Sequence, residues 1–368
     1  MPKRVTLKDV AALAGVSYQT VSKVINNKAQ VTEDTRRRVW SAVEELGYRP
    51  NVIARSLQGS LTRTIAFAIR PVSHRISDPF FNELLTSMVE AAGSQQYDML
   101  ASVTETGDQE METYERLIKT GRVDGIVIDG TTRHDERLMY LSRDGFPFIA
   151  FGRSELDLNF PYVDVDNFAG MFEVVEHLVD LGHQRIAFIG LPSHSLGGDR
   201  PPEGQDTTPV VGDVVALPQQ SFCGHERRRA YQEALASHGM ALDPTLLIIG
   251  HRRERGGYGA ANHLLDLSPP PTAIACGSDL VALGVMRAAQ DQGMEVGRDL
   301  AVTGFDGIPL SAYTHPPLTT VEQPIKRIGE LLISVLVRII EGTELSDTER
   351  HVVLQPKLIM RQSSTGTS

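Results

Sequence analysis

The sequence predicts a small all-α head followed by an α/β body of two parallel sheets covered by helices, and three observations carry this. Charge is divided along the chain: within a net −10 over 368 residues, residues 1–60 hold ten Lys/Arg against five Asp/Glu, so a head of +5 precedes a body of −15. Two short amphipathic stretches flank a Gly-containing turn near the N-terminus. Beyond residue 62, short apolar runs alternate with helical stretches. With 41% hydrophobic side chains, the chain has material for two or three units with real cores.

In the head, Thr6-Leu7-Lys8-Asp9 has the form of a capping box, and Val10, Leu13 and Ala14 give a helix over 6–14 one apolar face. Gly15-Val16-Ser17 supplies a turn. Ser17 caps a second helix from Tyr18 to Ile25, with Val21, Val24 and Ile25 inward and Tyr18, Gln19, Ser22, Lys23 and Asn26 outward. Thr32 caps a third, which carries a Val39, Val43 and Leu46 stripe and ends at Gly47. Two short helices about such a turn, backed by a third, make a helix-turn-helix whose second helix offers polar side chains to the major groove. Lys and Arg release counterions from phosphates, so the basic head is the expected nucleic-acid contact and the acidic body is not. From Gly47 to Gly59 a linker follows, with Asn51 as the N-cap of one or two helical turns. So short a helix is unstable alone in water and is expected to fold only on DNA beside a partner chain.

In the body, strands are expected at 65–69, 99–103, 125–128, 147–151, 162–166, 185–190, 245–249, 272–276, 300–304 and 318–321, with helices near 80–93 and 109–119. Continuous apolar strands alternating with helices indicate parallel sheets covered on both faces, and so many strands imply two sheets. In such an architecture a ligand sits beyond the strand carboxyl ends, here in the cleft between two lobes.

The string Val10-Ala11-Ala12-Leu13-Ala14-Gly15-Val16-Ser17-Tyr18-Gln19-Thr20-Val21-Ser22-Lys23-Val24-Ile25-Asn26 closely resembles the DNA-reading motif of the lactose/galactose repressor family. The resemblance continues through Asp78-Pro79-Phe80-Phe81, Val163-Asp164-Val165-Asp166-Asn167, Leu181-Gly182-His183-Gln184-Arg185, Cys276-Gly277-Ser278-Asp279, Thr303-Gly304-Phe305-Asp306 and His315-Pro316-Pro317-Leu318. It implies a sequence-specific transcriptional regulator, a repressor of carbohydrate uptake or catabolism genes, whose body has the two-lobed periplasmic sugar-binding fold. By that resemblance Tyr18, Gln19 and Lys23 reach base edges, Lys23 standing where relatives often carry Arg. Thr6, Ser17, Thr20, Ser22 and Asn26 fix the register on phosphates, with Leu7 beside Thr6 at the same helix start. Residues 51–61 become a hinge helix, in which Leu57, with Ala54 beside it, wedges between base steps of the minor groove.

The same resemblance implies effector-binding roles for Arg227 and Asp279, a pair suited to vicinal hydroxyls. Phe80 and Phe81 are the expected apolar wall, Arg153 reaches the cleft, and Asp306 orders the site. The domains are expected at 1–50, 51–61 and 62–368, with lobe one over 62–161 plus 292–321 and lobe two over 162–291 plus 322–368. Residues 191–220, with five Pro and four Gly, read as an inserted loop. The basic run His251-Arg252-Arg253-Glu254-Arg255 admits an anionic effector such as a sugar phosphate alongside a mono- or disaccharide.

Other classes fit less well. Phosphate-loop, nucleophile-elbow, zinc-protease and Cys-x-x-Cys motifs do not occur, so no enzyme, cofactor or metal is expected. Cys223 and Cys276 fit no ligand spacing and suit a reducing compartment. No apolar stretch has the length of a membrane span or signal peptide, so a cytoplasmic protein is expected rather than an exported sugar-binding component. A palindromic operator requires a two-fold partner, and the tail, with a closing strand over 354–364 and no heptad extension, favours a homodimer over a tetramer. Whether the effector releases or strengthens DNA binding is left open by the residues.

Overall fold

The computed structural model describes residues 5–25, 31–48, 61–69, 78–104, 110–191, 221–249 and 253–365, together with the backbone of 210–211. Two compact units divide between Thr62 and Arg63. Asn26 and the hinge positions Asn51, Ala54 and Leu57 lie outside the described residues.

The head has α1 (Leu7–Ala14), α2 (Tyr18–Ile25) and α3 (Glu33–Leu46). The Asp9 carboxylate accepts from both the N–H and the hydroxyl of Thr6, at 2.8 and 2.7 Å, closing the start of α1. Gly15 and Gly47 end α1 and α3 in the left-handed conformation. Val10, Ala11, Ala14, Val21, Val24, Val39, Ala42 and Val43 form the core, and none is larger than valine. Leu13, expected inward, is 45% exposed: the small side chains of Ala11 and Ala14 let α3 approach closely, and Leu13 falls to the rim of that contact.

The body opens with β1 (Thr64–Ile69), α4 (Pro79–Ser94), β2 (Asp98–Val103), α5 (Glu110–Lys119), β3 (Gly125–Asp129), α6 (Glu136–Asp144), β4 (Phe148–Phe151) and β5 (Tyr162–Val165). Next come α7 (Asn167–Asp180), β6 (Ile186–Gly190), β7 (Val210–Val211), α8 (Phe222–Ser237), β8 (Leu247–Ile249), α9 (Glu254–Leu265), β9 (Ala273–Cys276), α10 (Asp279–Asp291), β10 (Ala301–Asp306) and β11 (Thr319–Glu322). The chain closes with α11 (Ile325–Ile340), α12 (Asp347–Arg350), β12 (His351–Leu354), β13 (Lys357–Ile359) and α13 (Gln362–Thr365).

Sheet one runs β12-β5-β4-β3-β1-β2 and sheet two β13-β11-β10-β9-β6-β8-β7. Alternation places Ile65, Phe67 and Ile69 of β1 under α4 and α11, and Ala66 and Ala68 under α5 and α6. In sheet two, β6 sends Ala187 and Ile189 toward α9 and α10, and Ile186 and Phe188 toward α7 and α8. Apolar side chains on both faces of every central strand are the physical reason the runs read as continuous. No helix among the described residues is long and apolar enough to cross a membrane.

The lobes divide the chain differently from the expected ranges. β5 pairs with β4 in sheet one, while β10 and β11 lie beside β9 in sheet two. Helix α11 and β12 then return to lobe one, where Ile325, Ile328, Leu332 and Leu336 complete the core under β1. The chain therefore crosses between lobes three times, after β5, after β11 and after β12. The pattern within a strand is local and does not say which sheet it joins. The tail likewise splits at Gln355-Pro356 into β12 and β13, which belong to different sheets. Within 191–220, Leu191 is buried and Val210–Val211 form an antiparallel edge strand against β8.

Helices α9 and α10 cross at backbone contact. A Cβ on Gly284 would lie 1.9 Å from the Glu254 carbonyl oxygen, and one on Gly257 2.1 Å from that of Val281. The Gly284→Ala variant should therefore lose about 1–3 kcal/mol of stability by forcing the helices apart. Chemical denaturation of the full chain reads this, and an unchanged midpoint would refute the close-contact account.

Candidate nucleic-acid interface and inter-lobe cleft

On the head, Val21 and Val24 anchor α2 to the core and turn its opposite face outward. Tyr18, Gln19 and Lys23 are exposed there, and Thr20 and Ser22 are half-buried beside them. Ser17 accepts from the Thr20 N–H at 3.1 Å, its hydroxyl lying 2.8 Å from that of Thr20, so both residues also build the turn. The Leu7 side chain packs on the head core. Its main chain begins the first turn of α1.

In the body, a polar chain runs from one lobe to the other. At the end of β4, Arg153 donates through Nε to Asp164 Oδ2 at 2.7 Å. Asp164, buried in β5, also accepts from the Asn167 amide at 3.4 Å. Asn167, the first residue of α7, accepts from Arg227 Nε at 2.9 Å. Arg227, on α8, donates to the Gly277 carbonyl at 2.6 Å, lies 3.6 Å from Asp306 Oδ1 and sits 3.6 Å above the Phe305 ring. Asp306 closes the chain by accepting from Gln323 at 2.8 Å, where β11 leaves for lobe one.

Two expected side chains are placed elsewhere. Phe81 is 2% exposed and stacks on Phe67 inside the lobe-one core, so it lines no cleft; Phe80, about 100° round the same helix, is half-buried against Phe151. Asp279 is fully buried at the start of α10, where Oδ1 accepts from the Thr320 hydroxyl and Oδ2 from the Ile308 N–H at 2.8 Å. Its carboxylate braces β10 against β11 and is not open to two sugar hydroxyls. Gly304 makes room for it, since a Cβ there would lie 2.2 Å from Oδ1. Arg153, Arg227 and Asp306 are brought together as expected neighbours. Asp164, Asn167, Gln323 and Phe222, whose ring lies 5.1 Å from the Arg153 guanidinium, were not assigned from sequence. For Asp164 and Asn167 the signal was in hand, as polar residues of the Val163-Asp164-Val165-Asp166-Asn167 motif.

Asp306 is unusual in both backbone and charge. Its φ is 128°, a strained value for a residue with a side chain. Burial pushes its carboxyl up to about 8 against the pull of Arg227, with Asp279 and Asp78 pushing the same way. Burial also lifts Asp279 to about 6. An acid that keeps its proton when folded and loses it near pH 4 when unfolded makes stability fall as pH rises from about 4 to about 8. The melting temperature should accordingly drop between pH 5 and pH 8, and Asp306→Asn should flatten most of that drop; an unaltered slope in the variant would place its source elsewhere.

Residues 6–51 match the profile of bacterial regulatory proteins of the lacI family. Residues 68–209 match periplasmic binding proteins and the sugar-binding domain of the LacI family, and 175–364 a periplasmic binding protein-like domain. The transcriptional repressor CytR of Escherichia coli strain K12 is 31% identical over 359 residues, spanning 98% of this chain and 96% of its own. A structure of the transcriptional regulator CelR in complex with cellobiose is 30% identical, with a TM-score of 0.69 over 98% of this chain and 100% of that one. The lac repressor dimer bound to operator and an anti-inducer is 26% identical, with a TM-score of 0.80 over 98% and 99%. With its exposed reading helix, its two-lobed body and full-length similarity to repressors, the chain belongs to the LacI family of bacterial DNA-binding transcriptional regulators.

Proposed function

We propose that the protein is a cytoplasmic homodimeric repressor of carbohydrate uptake or catabolism genes, bound to a pseudo-palindromic operator and controlled by a neutral mono- or disaccharide in the inter-lobe cleft. Tyr18, Gln19 and Lys23 read bases, Thr6, Ser17, Thr20, Ser22 and Asn26 position the head on phosphates, and a Leu57 wedge kinks the site. Arg227, Arg153 and Asp306 hold the sugar, with Phe80 as its apolar wall and Asn167 and Gln323 orienting the charged groups.

The choice of a neutral sugar over a sugar phosphate rests on one observation: both cleft guanidiniums already have partners within the protein. Arg153 is paired with Asp164, and Arg227 donates to Asn167 and to the Gly277 carbonyl. A phosphate would meet committed donors rather than unpaired cations, whereas a polyol can accept from the guanidiniums and exchange hydrogen bonds with the acids. That CelR is seen with cellobiose and that CytR is a repressor support the reading.

The test is a band shift on DNA upstream of the protein's own gene, repeated with a panel of mono- and disaccharides and their phosphates. Specific, salt-dependent binding altered by a neutral sugar and not by its phosphate is the expected result. A response to phosphates alone overturns the effector assignment, and the absence of specific binding overturns the operator reading.

A further inference from the structure

Among the described residues, the lobes also touch where the loop after β3 meets the start of α8. The Phe222 N–H donates to the Thr131 carbonyl at 3.0 Å, and Thr132 pairs with Ser221 in an isolated antiparallel bridge. Thr131, Thr132 and Ser221 are all buried. A side-chain contact flanks the bridge: Arg133 Nε lies 2.6 Å from Glu155 Oε1, and His225 Nε2, from the other lobe, is 3.9 Å from the same oxygen.

Both halves of this contact are stiff. On the lobe-one side, the buried Arg137 guanidinium donates to the carbonyls of Asp129 and Gly130 at 3.1 and 3.0 Å, while Asp135 accepts from the Thr132 N–H at 3.0 Å. On the lobe-two side, Ser221 caps α8 by accepting from the Gly224 N–H at 3.3 Å, and α8 carries Arg227. Two rigid main-chain segments in register make such a bridge only at one separation, so the contact has two states rather than a gradient.

We infer that the Thr131–Thr132/Ser221–Phe222 main-chain bridge is a latch that holds the lobes closed and thereby sets the state of the DNA-binding form. Its effect on DNA rests on the function proposed above, whereas its effect on lobe separation does not.

Facing residues of an antiparallel pair have Cα atoms about 4.5–5.5 Å apart, within disulfide range. The test is therefore the full-length Thr132→Cys/Ser221→Cys protein in a Cys223→Ser background, oxidised and then reduced. The disulfide should form quantitatively. The operator affinity of the oxidised protein should differ at least tenfold from that of the same protein reduced, and Phe222→Pro, which removes the N–H that donates to Thr131 at a first helical position that tolerates proline, should shift affinity in the opposite direction. Small-angle X-ray scattering keeps the two readings apart. A radius of gyration for Phe222→Pro equal to that of the unaltered protein, or a folded double-cysteine protein that fails to cross-link, overturns the latch. An enlarged radius, or a quantitative cross-link, with unchanged DNA affinity leaves the latch standing and overturns control of DNA binding by lobe closure.

Discussion

Replacing Arg227 with alanine should raise the sugar concentration needed to change operator binding roughly 10- to 100-fold, the loss of one or two hydrogen bonds from a charged donor. The effect is large because the guanidinium also orders its surroundings. It fixes Asn167 through Nε, the Gly277 carbonyl through Nη1, and the Phe305 ring beneath it. Without it, Asp306 loses the guanidinium that pulls its carboxyl down and keeps its proton to still higher pH. Arg227→Lys should recover little, since a point charge cannot hold the fork of contacts. Operator affinity without sugar is the control. A variant that responds at ordinary sugar concentrations would show that the effector lies elsewhere.

Arg137→Ala should cost about 3–5 kcal/mol, the typical penalty for stripping one partner from a buried ion pair. Arg137 and Asp135 are each 1% exposed and face one another through two hydrogen bonds, 2.9 Å from Nε and 2.6 Å from Nη2. Removal takes the buried counter-charge from the Asp135 carboxylate and leaves the Asp129 and Gly130 carbonyls without this donor. The loss should appear in denaturant titration as an early transition of lobe one, ahead of the lobe-two core. A single transition shifted by less than about 1 kcal/mol, within the range of an exposed pair, would mean that the loop relaxes to let water in.

Much of this was legible in the sequence because it is local. The Thr6 and Ser17 caps, the valine faces of α2 and α3 and the apolar strands follow from residues a few positions apart, where helical and strand periods act. What escaped is set at long range. Leu13 was misplaced because the size of Ala11 and Ala14 matters only once α3 lies against them. Phe80 and Phe81 are adjacent and chemically alike, so only the direction of α4 tells wall from core. Asp279 stands where the repressor resemblance puts an effector carboxylate, yet Thr320, forty-one residues away, occupies it. Asn167 becomes a link between arginines only when β5 and α8 are assembled.

The three crossings bear on genetics. Because β12 edges sheet one and β13 edges sheet two, a premature stop codon after Gly342 would strip a border strand from both lobes at once and leave the reading head untouched. Such an allele is expected to behave as a null in both sensing and pairing. A missense allele confined to α2 would instead yield an intact body that still pairs with normal subunits and poisons them, so defects in the head should be dominant and truncations of the tail recessive.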